Sequence, residues 1–494
     1  MKDFFLKYDK QITRILEIFP GFVAWNLILF PAWGSFFFPL IVGYFILAFD
    51  IFWLYKSASL AVTATISHFK IKAAEKLNWM QEVKGFGDWK KVHHIVVIPT
   101  YKEPLHVLRR TIKRLAEQTL PSEQIIVVLA TEKREEEARE KGAILKKEFG
   151  SRFDHFLITV HPDISGEVKG KSSNQAWAGK QAKRKLVDDL GYGIDYLTIT
   201  SLDADGVLHP QYYAYLTFKF LDDPHRYRRF WHSAVVYYNN YWRVPAPVRV
   251  INTIGSIWRI GILSRKDRLI QMSVYSASLK MIDEVGYWDV DVIPEDYRIF
   301  FKCFFKFQGK VEVEPIFLPT FVDAAESTSW WKTMVNQYEQ MKRWAWGVSD
   351  DPQLIKWWFT VPNVSFWDKT IHLLKVLEEH ILWPVNWFII TLGVNIPTFL
   401  NPNFRRMMIG FTLPRISSFI LTLCLFFLGV ALIIDAKQRP PRPKHISRWR
   451  QALMPLEFVL MPIVGFFFNA LPGLDAHTRL MLGKYIEYKV TEKV

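Results

Sequence analysis

The sequence predicts an α/β domain of alternating strands and helices set between two membrane regions. Three observations lead to that prediction. Apolar residues concentrate at both ends of the 494-residue chain, and the middle has the composition of a soluble protein. The middle alternates short apolar runs with amphipathic stretches, as expected for a doubly wound sheet. One of these runs ends in two carboxylates, Asp203 and Asp205, and open α/β sheets bind ligands at that end of a strand.

Composition narrows the functional classes. The formal net charge is +15, with 50% hydrophobic and 22% charged residues. In a chain with membrane segments, excess Lys and Arg is typical of cytoplasmic loops and of sites for phosphate-bearing ligands. No zinc-finger or RNA-recognition spacing is present, so we expect no nucleic-acid partner. Cys303 and Cys424 are the only cysteines, and neither a disulfide framework nor a cysteine metal site is expected.

The sequence of residues 1–60 predicts a hairpin of two membrane helices. Residues 18–49 carry no charge, which is too long for a single span of about 20 residues. A break near Pro31–Gly34 gives two helices, at about 14–32 and 36–56. A juxtamembrane linker over residues 61–91 follows. Lys56 and this basic linker then lie on the same side as the N-terminus, which the positive-inside rule makes cytoplasmic. The apolar stretch is much longer than a signal-peptide core.

Residues 92–350 form the predicted soluble domain. Strands are expected at 94–99, 124–130, 155–160, 196–202 and 230–238, with helices at 105–115, 132–148 and 171–190. Further along, the pattern indicates a helix from about 295 to 307, an exposed strand at 310–315 and an amphipathic helix at 329–346. The segment 245–268 is mixed and receives no assignment. There is no Gly-rich loop of the Rossmann or P-loop type.

Two pairs of acidic residues stand at the ends or starts of these elements. Strand alternation puts Asp203 and Asp205 on the same side, where they favour Mg²⁺ or Mn²⁺ together with phosphate oxygens. A solvated turn is the alternative, because Asp and Gly favour turns. Glu295 and Asp296 fall in the first turn of a helix, where capping alone also accounts for them.

Residues 351–494 form the predicted C-terminal membrane region and tail. Candidate spans lie at about 378–398, 414–434 and 453–472. The connector 436–451 has several Lys and Arg residues and no acid, so we expect it to be cytoplasmic. Three prolines, Pro455, Pro462 and Pro472, leave open whether the last segment crosses the membrane or folds back.

Five short motifs together resemble the family 2 glycosyltransferases, in particular the membrane-embedded, processive cellulose, chitin and hyaluronan synthases. The motifs are Val97-Ile-Pro-Thr-Tyr-Lys-Glu-Pro104, Lys171 with Asn174, Asp203-Ala-Asp205, Glu295-Asp296 and Gln340-Met-Lys-Arg-Trp344. Each is weak alone, and their order between membrane segments is the specific feature. The resemblance covers residues 92–347 and implies a GT-A-like nucleotide-sugar-binding domain with a doubly wound mixed sheet.

The resemblance also implies roles for the matched residues. Those on the donor side, which contact the base, ribose, phosphates or sugar, are Thr100, Glu103, Lys171, Asn174, Asp203 and Arg343. Asp205, with Asp203, holds Mg²⁺ or Mn²⁺. Asp296, beside Glu295, is the general base for the acceptor hydroxyl. Gln340 and Trp344 belong to the acceptor side.

The second strand departs from the family pattern. In this family it usually ends in an acidic pair that holds the base, but here the chain has Ala130 and Thr131. Either Thr131 or Glu132 takes over that donor-binding place by hydrogen bonding. A UDP-sugar is the donor that the resemblance implies, and this departure leaves the base open.

The sequence therefore predicts an inverting, metal-dependent hexosyltransferase at the cytoplasmic face of the inner cell membrane. The acceptor is a growing carbohydrate polymer, and the bilayer is a further partner. One alternative is single-sugar transfer to a lipid acceptor. Another is a non-catalytic scaffold or transporter, although transporters usually bury ionisable groups in their spans.

Overall fold

The computed structural model describes residues 2–488. The chain begins with the short helix Lys2–Lys7, which is followed by two long helices, Asp9–Phe37 and Pro39–Lys76. The first helix continues through Pro31, so the chain turns at Phe38 and not at the predicted Pro31–Gly34 break. Proline inside a membrane helix is tolerated where neighbouring groups bond to the freed backbone. At the end of this helix, Asn401 Nδ2 donates to the Ser35 carbonyl at 2.6 Å, a carbonyl to which Pro39 has no N–H to donate.

The second helix extends far beyond the predicted end at 56 and occupies half of the predicted linker 61–91. Tertiary packing explains the difference. The helix Ala246–Ile262, in the segment that received no assignment, lies against it. A Cβ on Gly261 would stand 2.9 Å from Leu60 Cδ1, so the two helices touch at the backbone. Ser67 Oγ and Ser264 Oγ are hydrogen-bonded at 2.7 Å just beyond that contact.

A seven-stranded mixed sheet forms the centre of the soluble domain. Its strands are β1 His93–Pro99, β2 Ile125–Glu132, β3 His155–His161, β4 Leu197–Ser201, β5 Arg229–Val236, β6 Tyr275–Ser278 and β7 Glu312–Phe321. The order is β3-β2-β1-β4-β6-β5-β7. Strands β3, β2, β1 and β4 are parallel, whereas β6 is antiparallel to both of its neighbours. The predicted doubly wound mixed sheet is confirmed.

Helices cover both faces of this sheet, which explains why its strands are almost continuously apolar. They are Leu105–Ala116, Ala138–Phe149, Lys171–Lys183, Tyr212–Asp222, Ala246–Ile262, Leu279–Glu284, Glu295–Lys306, Trp330–Ala345 and Asp351–Thr360. Strand β7 is longer than the exposed strand predicted at 310–315, and the part of β7 after Pro315 is mostly buried. The helix Pro39–Lys76 lies over it, and Lys70 Nζ stands 5.1 Å from the centre of the Phe317 ring.

The C-terminal region is helical. Its elements are Phe366–Leu392, Asn395–Leu400, Pro402–Arg406, Met408–Gln438 and the helical segment Arg448–Met481. Within residues 2–488, four segments are long and apolar enough to cross a membrane: Asp9–Phe37, Pro39–Lys76, Met408–Gln438 and Arg448–Met481. Large apolar side chains on them face outward, such as Phe419 and Phe426, each 66% exposed, as a bilayer-covered surface requires.

The predicted span 378–398 is not one of these four segments. Its helix ends at Leu392, before the predicted end, and carries charges where the span was expected to begin. Glu378 pairs there with Lys56 at 2.5 Å and with Arg268 at 2.9 Å. These ion pairs tie the helix Phe366–Leu392 to both the second membrane helix and the soluble domain. The last six residues of the predicted tail, 489–494, lie outside the described residues.

Candidate active site

Four of the predicted site residues meet in one buried cluster: Lys171, Asp203, Glu295 and Asp296. Lys171 Nζ lies 2.8 Å from Asp203 Oδ1 and 3.2 Å from Glu295 Oε1. It also donates to the Ser273 carbonyl at 2.9 Å. Lys171 and Glu295 begin helices, and Asp203 follows β4. Because β6 runs antiparallel to β4, the chain just before β6 reaches the same edge of the sheet.

Asp296 is held in this cluster without being fully hydrogen-bonded. Its Oδ2 accepts from the Ser273 backbone N–H at 2.6 Å. Its Oδ1 is buried and has no hydrogen-bond partner in the described part of the chain. Burial, and next the neighbouring charge of Glu295, raise the pKa of Asp296 to about 8. A carboxyl with that pKa exchanges protons near neutral pH, as a general base must.

Lys171 offsets the negative charge of the cluster. Burial by itself would lower the pKa of Lys171, but the carboxylates of Asp203, Glu295 and Asp296 outweigh burial and hold it well above its usual range. The ammonium therefore stays charged. A fixed positive charge at this edge suits a phosphate-bearing ligand.

Ser273 joins the two acidic pairs, and sequence reasoning did not find it. Its Oγ donates to Asp203 Oδ2, and its backbone N–H donates to Asp296. The residue has φ 61°, a left-handed conformation that is uncommon for a residue other than glycine. Backbone strain of this kind concentrates at functional sites. Ser273 is marked by these hydrogen bonds and by its dihedral angle, and no sequence pattern reports either.

The predicted donor-side residues around the ends of β1 and β2 are hydrogen-bonded to neighbouring groups. Thr100 Oγ1 donates to Glu103 Oε2 at 2.7 Å, which fixes the loop after β1. Thr131 Oγ1 donates to the Thr159 carbonyl at 2.8 Å. Asn174 Nδ2 donates to the Ala130 carbonyl at 2.8 Å. Thr131 and Asn174 are both buried, so they brace the end of β2.

Asp203 and Asp205 occupy different environments. The Asp203 side chain is 25% exposed and faces Lys171 and Ser273. Asp205 is completely buried, and its Oδ2 accepts from the Asp323 backbone N–H at 2.7 Å. Asp205 therefore ties the loop after β4 to the end of β7.

The donor set suits a hard divalent cation through Asp203. Carboxylate oxygens are the ligands that Mg²⁺ and Mn²⁺ prefer, and such ions are usually held by one or two carboxylates together with substrate phosphates. Within residues 2–488, no group of three or more His, Cys, Asp or Glu side chains is arranged to hold a metal by itself. A cation at Asp203 would take its remaining oxygen ligands from a bound ligand such as a diphosphate.

Gln340, Arg343 and Trp344 lie on the helix Trp330–Ala345, next to the cluster and not within it. The Trp344 ring centre lies 5.9 Å from that of Tyr237, and the Arg259 guanidinium is 5.3 Å from the Trp344 ring. Gln340 Oε1 accepts from Gln337 Nε2 at 3.5 Å. Together they form a polar and aromatic wall.

Tyr488, near the end of the described chain, connects Arg343 to the cluster. Arg343 Nη1 donates to Tyr488 Oη at 3.4 Å, and its guanidinium lies 5.0 Å from the ring centre. A Cβ on Gly170 would stand 2.7 Å from Tyr488 Cγ, so the ring packs directly on the residue before Lys171. Burial raises the pKa of the Tyr488 hydroxyl. This contact joins distant parts of the chain, and sequence reasoning missed it.

Comparison with known protein families finds one match. Residues 198–434 match the model of the family described as "Glycosyl transferase family group 2". This match supports a family 2 glycosyltransferase and does not resolve the processive type. No curated protein matches the chain significantly.

Solved structures with some likeness to the chain include a mannosyltransferase and TarS. PcManGT from Pyrobaculum calidifontis, solved in complex with GDP-Man and Mn²⁺, is 13% identical with a TM-score of 0.43, covering 87% of this chain and 100% of that one. TarS 1–349 of S. aureus is 11% identical with a TM-score of 0.37, covering 81% and 94%. Its complex with UDP-GlcNAc is 12% identical with a TM-score of 0.34, covering 72% and 95%.

Proposed function

We propose that this protein is a membrane-embedded, inverting glycosyltransferase that transfers a hexose from a nucleoside diphosphate sugar to a growing polysaccharide. One observation carries the proposal. Asp296 has an unbonded, buried carboxylate oxygen and a pKa of about 8, next to Lys171, Asp203 and Glu295. Attack by a hydroxyl requires a base that takes its proton, and departure of a diphosphate requires a positive charge that stabilises it. Asp296 and Lys171 meet these two requirements.

The proposed reaction is a single displacement. Asp296 removes the proton of the acceptor hydroxyl, and that oxygen forms a bond to the anomeric carbon of the donor. The bond from this carbon to the diphosphate oxygen breaks, and its electron pair leaves on the diphosphate. Because attack comes from the face opposite the leaving group, the anomeric centre inverts. The proton ends on Asp296.

The other residues stabilise and orient the donor. Lys171 and Arg343 supply positive charge for the phosphates. Thr100, Glu103, Thr131 and Asn174 shape the nucleotide side. A divalent cation, Mg²⁺ or Mn²⁺, held through Asp203 and, if its carboxylate turns outward, Asp205, would neutralise charge on the leaving diphosphate. Glu295 holds Lys171 in place and keeps Asp296 basic.

The acceptor side is assigned to Gln340 and Trp344. An indole ring with a cationic neighbour offers the flat face on which sugars stack.

Single transfer to a lipid acceptor is the second candidate, since polar groups between the membrane helices bond to one another. Trp53 Nε1 donates to Asn386 Oδ1 at 3.2 Å, and Ser417 Oγ donates to Asp50. Such cross-helix bonds favour a closed bundle.

We assign the chemistry to residues 92–350 on the cytoplasmic side of a multi-pass inner-membrane protein. The Lys- and Arg-rich connector after the helix Met408–Gln438 and the basic N-terminal residues support this orientation.

The test is nucleoside diphosphate release by the purified full chain in nanodiscs, with a panel of nucleotide sugars. Each donor is assayed with Mn²⁺ or Mg²⁺ against a chelator, and with Asp296→Asn as control. Release that needs both the metal and Asp296 is the expected result, and product size then separates polymer from single transfer. Release that persists in Asp296→Asn contradicts the mechanism. No release and no nucleotide binding would favour a non-catalytic scaffold.

A further inference from the structure

A cleft opens beside the donor-side residues, where β2 and β3 end. Its lining includes Glu132, Arg134, His161 and Glu167. Glu132 and His161 are the last residues of β2 and β3 and pair in register. The carboxyl ends of parallel strands are where open α/β sheets receive ligands. The cleft therefore adjoins the loop of Thr100 and Glu103 on the nucleotide side of the site.

Glu132 and Arg134 form an ion pair that leaves hydrogen-bonding groups unused. Arg134 Nε donates to Glu132 Oε2. Across residues 2–488, Glu132 Oε1 accepts no hydrogen bond, and the two terminal nitrogens of Arg134 donate none. Glu132 is only 5% exposed. A nearly buried carboxylate beside a guanidinium with free donors offers adjacent acceptors and donors to a planar ligand.

An aromatic ring completes the arrangement. The Arg134 guanidinium lies 3.8 Å above the centre of the Tyr101 ring. Tyr101 sits between Thr100 and Glu103, so this ring stands in the loop that bounds the nucleotide side. The guanidinium of Arg134 and the ring of Tyr101 are both planar and stack on each other. Nucleobases are planar too, and they stack on aromatic rings and on Arg side chains.

The other charged groups of the cleft are paired with each other. His161 Nε2 and Glu167 Oε2 are 2.9 Å apart, and Lys169 Nζ donates to Asp163 Oδ2 at 3.0 Å. Among the described residues, Glu132 Oε1 and the terminal nitrogens of Arg134 are free polar groups beside the Tyr101 ring, and Lys102 Nζ lies 5.2 Å from the centre of that ring. Recognition of a base falls to this pair.

We propose that Glu132 and Arg134 select guanine, so that the donor is a GDP-sugar; this inference rests on the proposed function. Guanine presents acceptors at O6 and N7, which an Arg guanidinium pairs with two hydrogen bonds. Its N1–H and exocyclic amine are adjacent donors, and a carboxylate accepts from both. Uracil offers a carboxylate only one N–H, so it makes a single hydrogen bond where guanine makes two. Cytosine uses only one carboxylate oxygen, through its amine.

The test is calorimetric binding of nucleoside diphosphates to the full chain in nanodiscs with Mn²⁺. GDP is expected to bind at least about tenfold more tightly than UDP, CDP or ADP. Inosine diphosphate lacks the exocyclic amine and is expected to bind about tenfold or more weakly than GDP, since a hydrogen bond to a charged group is lost. This comparison uses the unaltered protein and needs no variant to fold.

Glu132→Gln sharpens the assignment. Its amide is expected to erase most of the preference for GDP over inosine diphosphate, and to improve binding of xanthosine diphosphate, whose carbonyl replaces the amine. Glu137→Gln is the matched control, because Glu137 is exposed and pairs only with Lys141 at 3.1 Å among the described residues. The control keeps the preference for GDP.

The outcomes separate this inference from the proposed function. UDP or CDP binding more tightly than GDP, with metal-dependent turnover of the matching donor, overturns the guanine assignment and leaves the glycosyltransferase intact. Equal binding of GDP and inosine diphosphate also overturns it. No binding of any nucleoside diphosphate, together with no turnover, contradicts both.

Discussion

The two ends of the sheet edge at which the parallel strands finish are built in opposite ways. At the end of β4, Lys171 is bonded to Asp203, Glu295 and the Ser273 backbone, so the groups to which we assign the chemistry hold one another in place. At the ends of β2 and β3, Glu132 and Arg134 keep free donors and acceptors in an open cleft. Preorganised charge suits catalysis, and unused hydrogen-bonding capacity suits selection of a ligand.

The largest expected effect is a loss of turnover on substitution of Asp296, at the end of the sheet edge to which we assign catalysis. Asp296→Asn removes the base and keeps the shape, so turnover should fall by about 10²- to 10⁴-fold. Nucleoside diphosphate affinity should stay within about twofold, because the nucleotide end is untouched. Diphosphate release and calorimetry measure the two quantities. Asp291→Asn, an exposed acid in the preceding loop, is the control and should keep full activity. Equal losses in both variants would refute the assignment.

The next effect concerns stability. Lys171→Met leaves the buried Glu295 and the partly buried Asp203 without their cation, which should lower the free energy of unfolding by about 3 kcal/mol. Thermal unfolding in detergent measures it as a lower Tm. Adding Asp203→Asn should recover part of the loss, because one uncompensated charge is removed. An unchanged Tm for Lys171→Met would show that the cluster is not held by this lysine.

A smaller effect is expected at the acceptor wall. Trp344→Ala removes the ring that packs with Tyr237 and Arg259, so the KM for the acceptor should rise about 2- to 10-fold. The KM for the donor should not change. Trp344→Phe keeps a ring and should retain most of the affinity. Initial-rate kinetics with varied acceptor decide it, and a change confined to the donor KM would place Trp344 on the nucleotide side instead.

The smallest effect lies away from both ends. Arg109 pairs with Glu148 at 2.7 Å on the surface, where both side chains are well exposed. Exposed ion pairs contribute little, so Arg109→Gln should leave Tm and turnover unchanged. A clear loss of activity in Arg109→Gln would mean that a third region of the domain, away from both ends of the sheet edge, also contributes to turnover.

Much of the fold follows from the sequence because its strands are local and strongly patterned. β1, β2 and β4 read as apolar runs that end in polar residues, and this pattern also placed Asp203 at the site. Lys171, Glu295 and Asp296 were found through short motifs. The antiparallel strand β6 was not, since its pairing depends on a distant partner and its four residues carry no distinctive pattern.

The remaining differences have tertiary causes. Ser273 and Tyr488 reach the site through contacts that join segments far apart in the chain, and no local pattern reports such contacts. The helix Pro39–Lys76 extends beyond its apolar segment because its later turns pack on the soluble domain. Alternation placed Asp203 and Asp205 on one side, but the turn after β4 breaks the strand geometry, and Asp205 is buried against Asp323.

The most direct test of the central claim is the pH dependence of kcat/KM for diphosphate release, in the unaltered protein and in Glu295→Gln. Asp296 must lose its proton to act as a base, so the rate should rise with pH and level off above about 8. Glu295 raises the pKa of Asp296 through its negative charge, so Glu295→Gln should move the rise to lower pH. A rise that stays in place in Glu295→Gln, or a rate that falls with pH between about 6 and 8, would contradict the account.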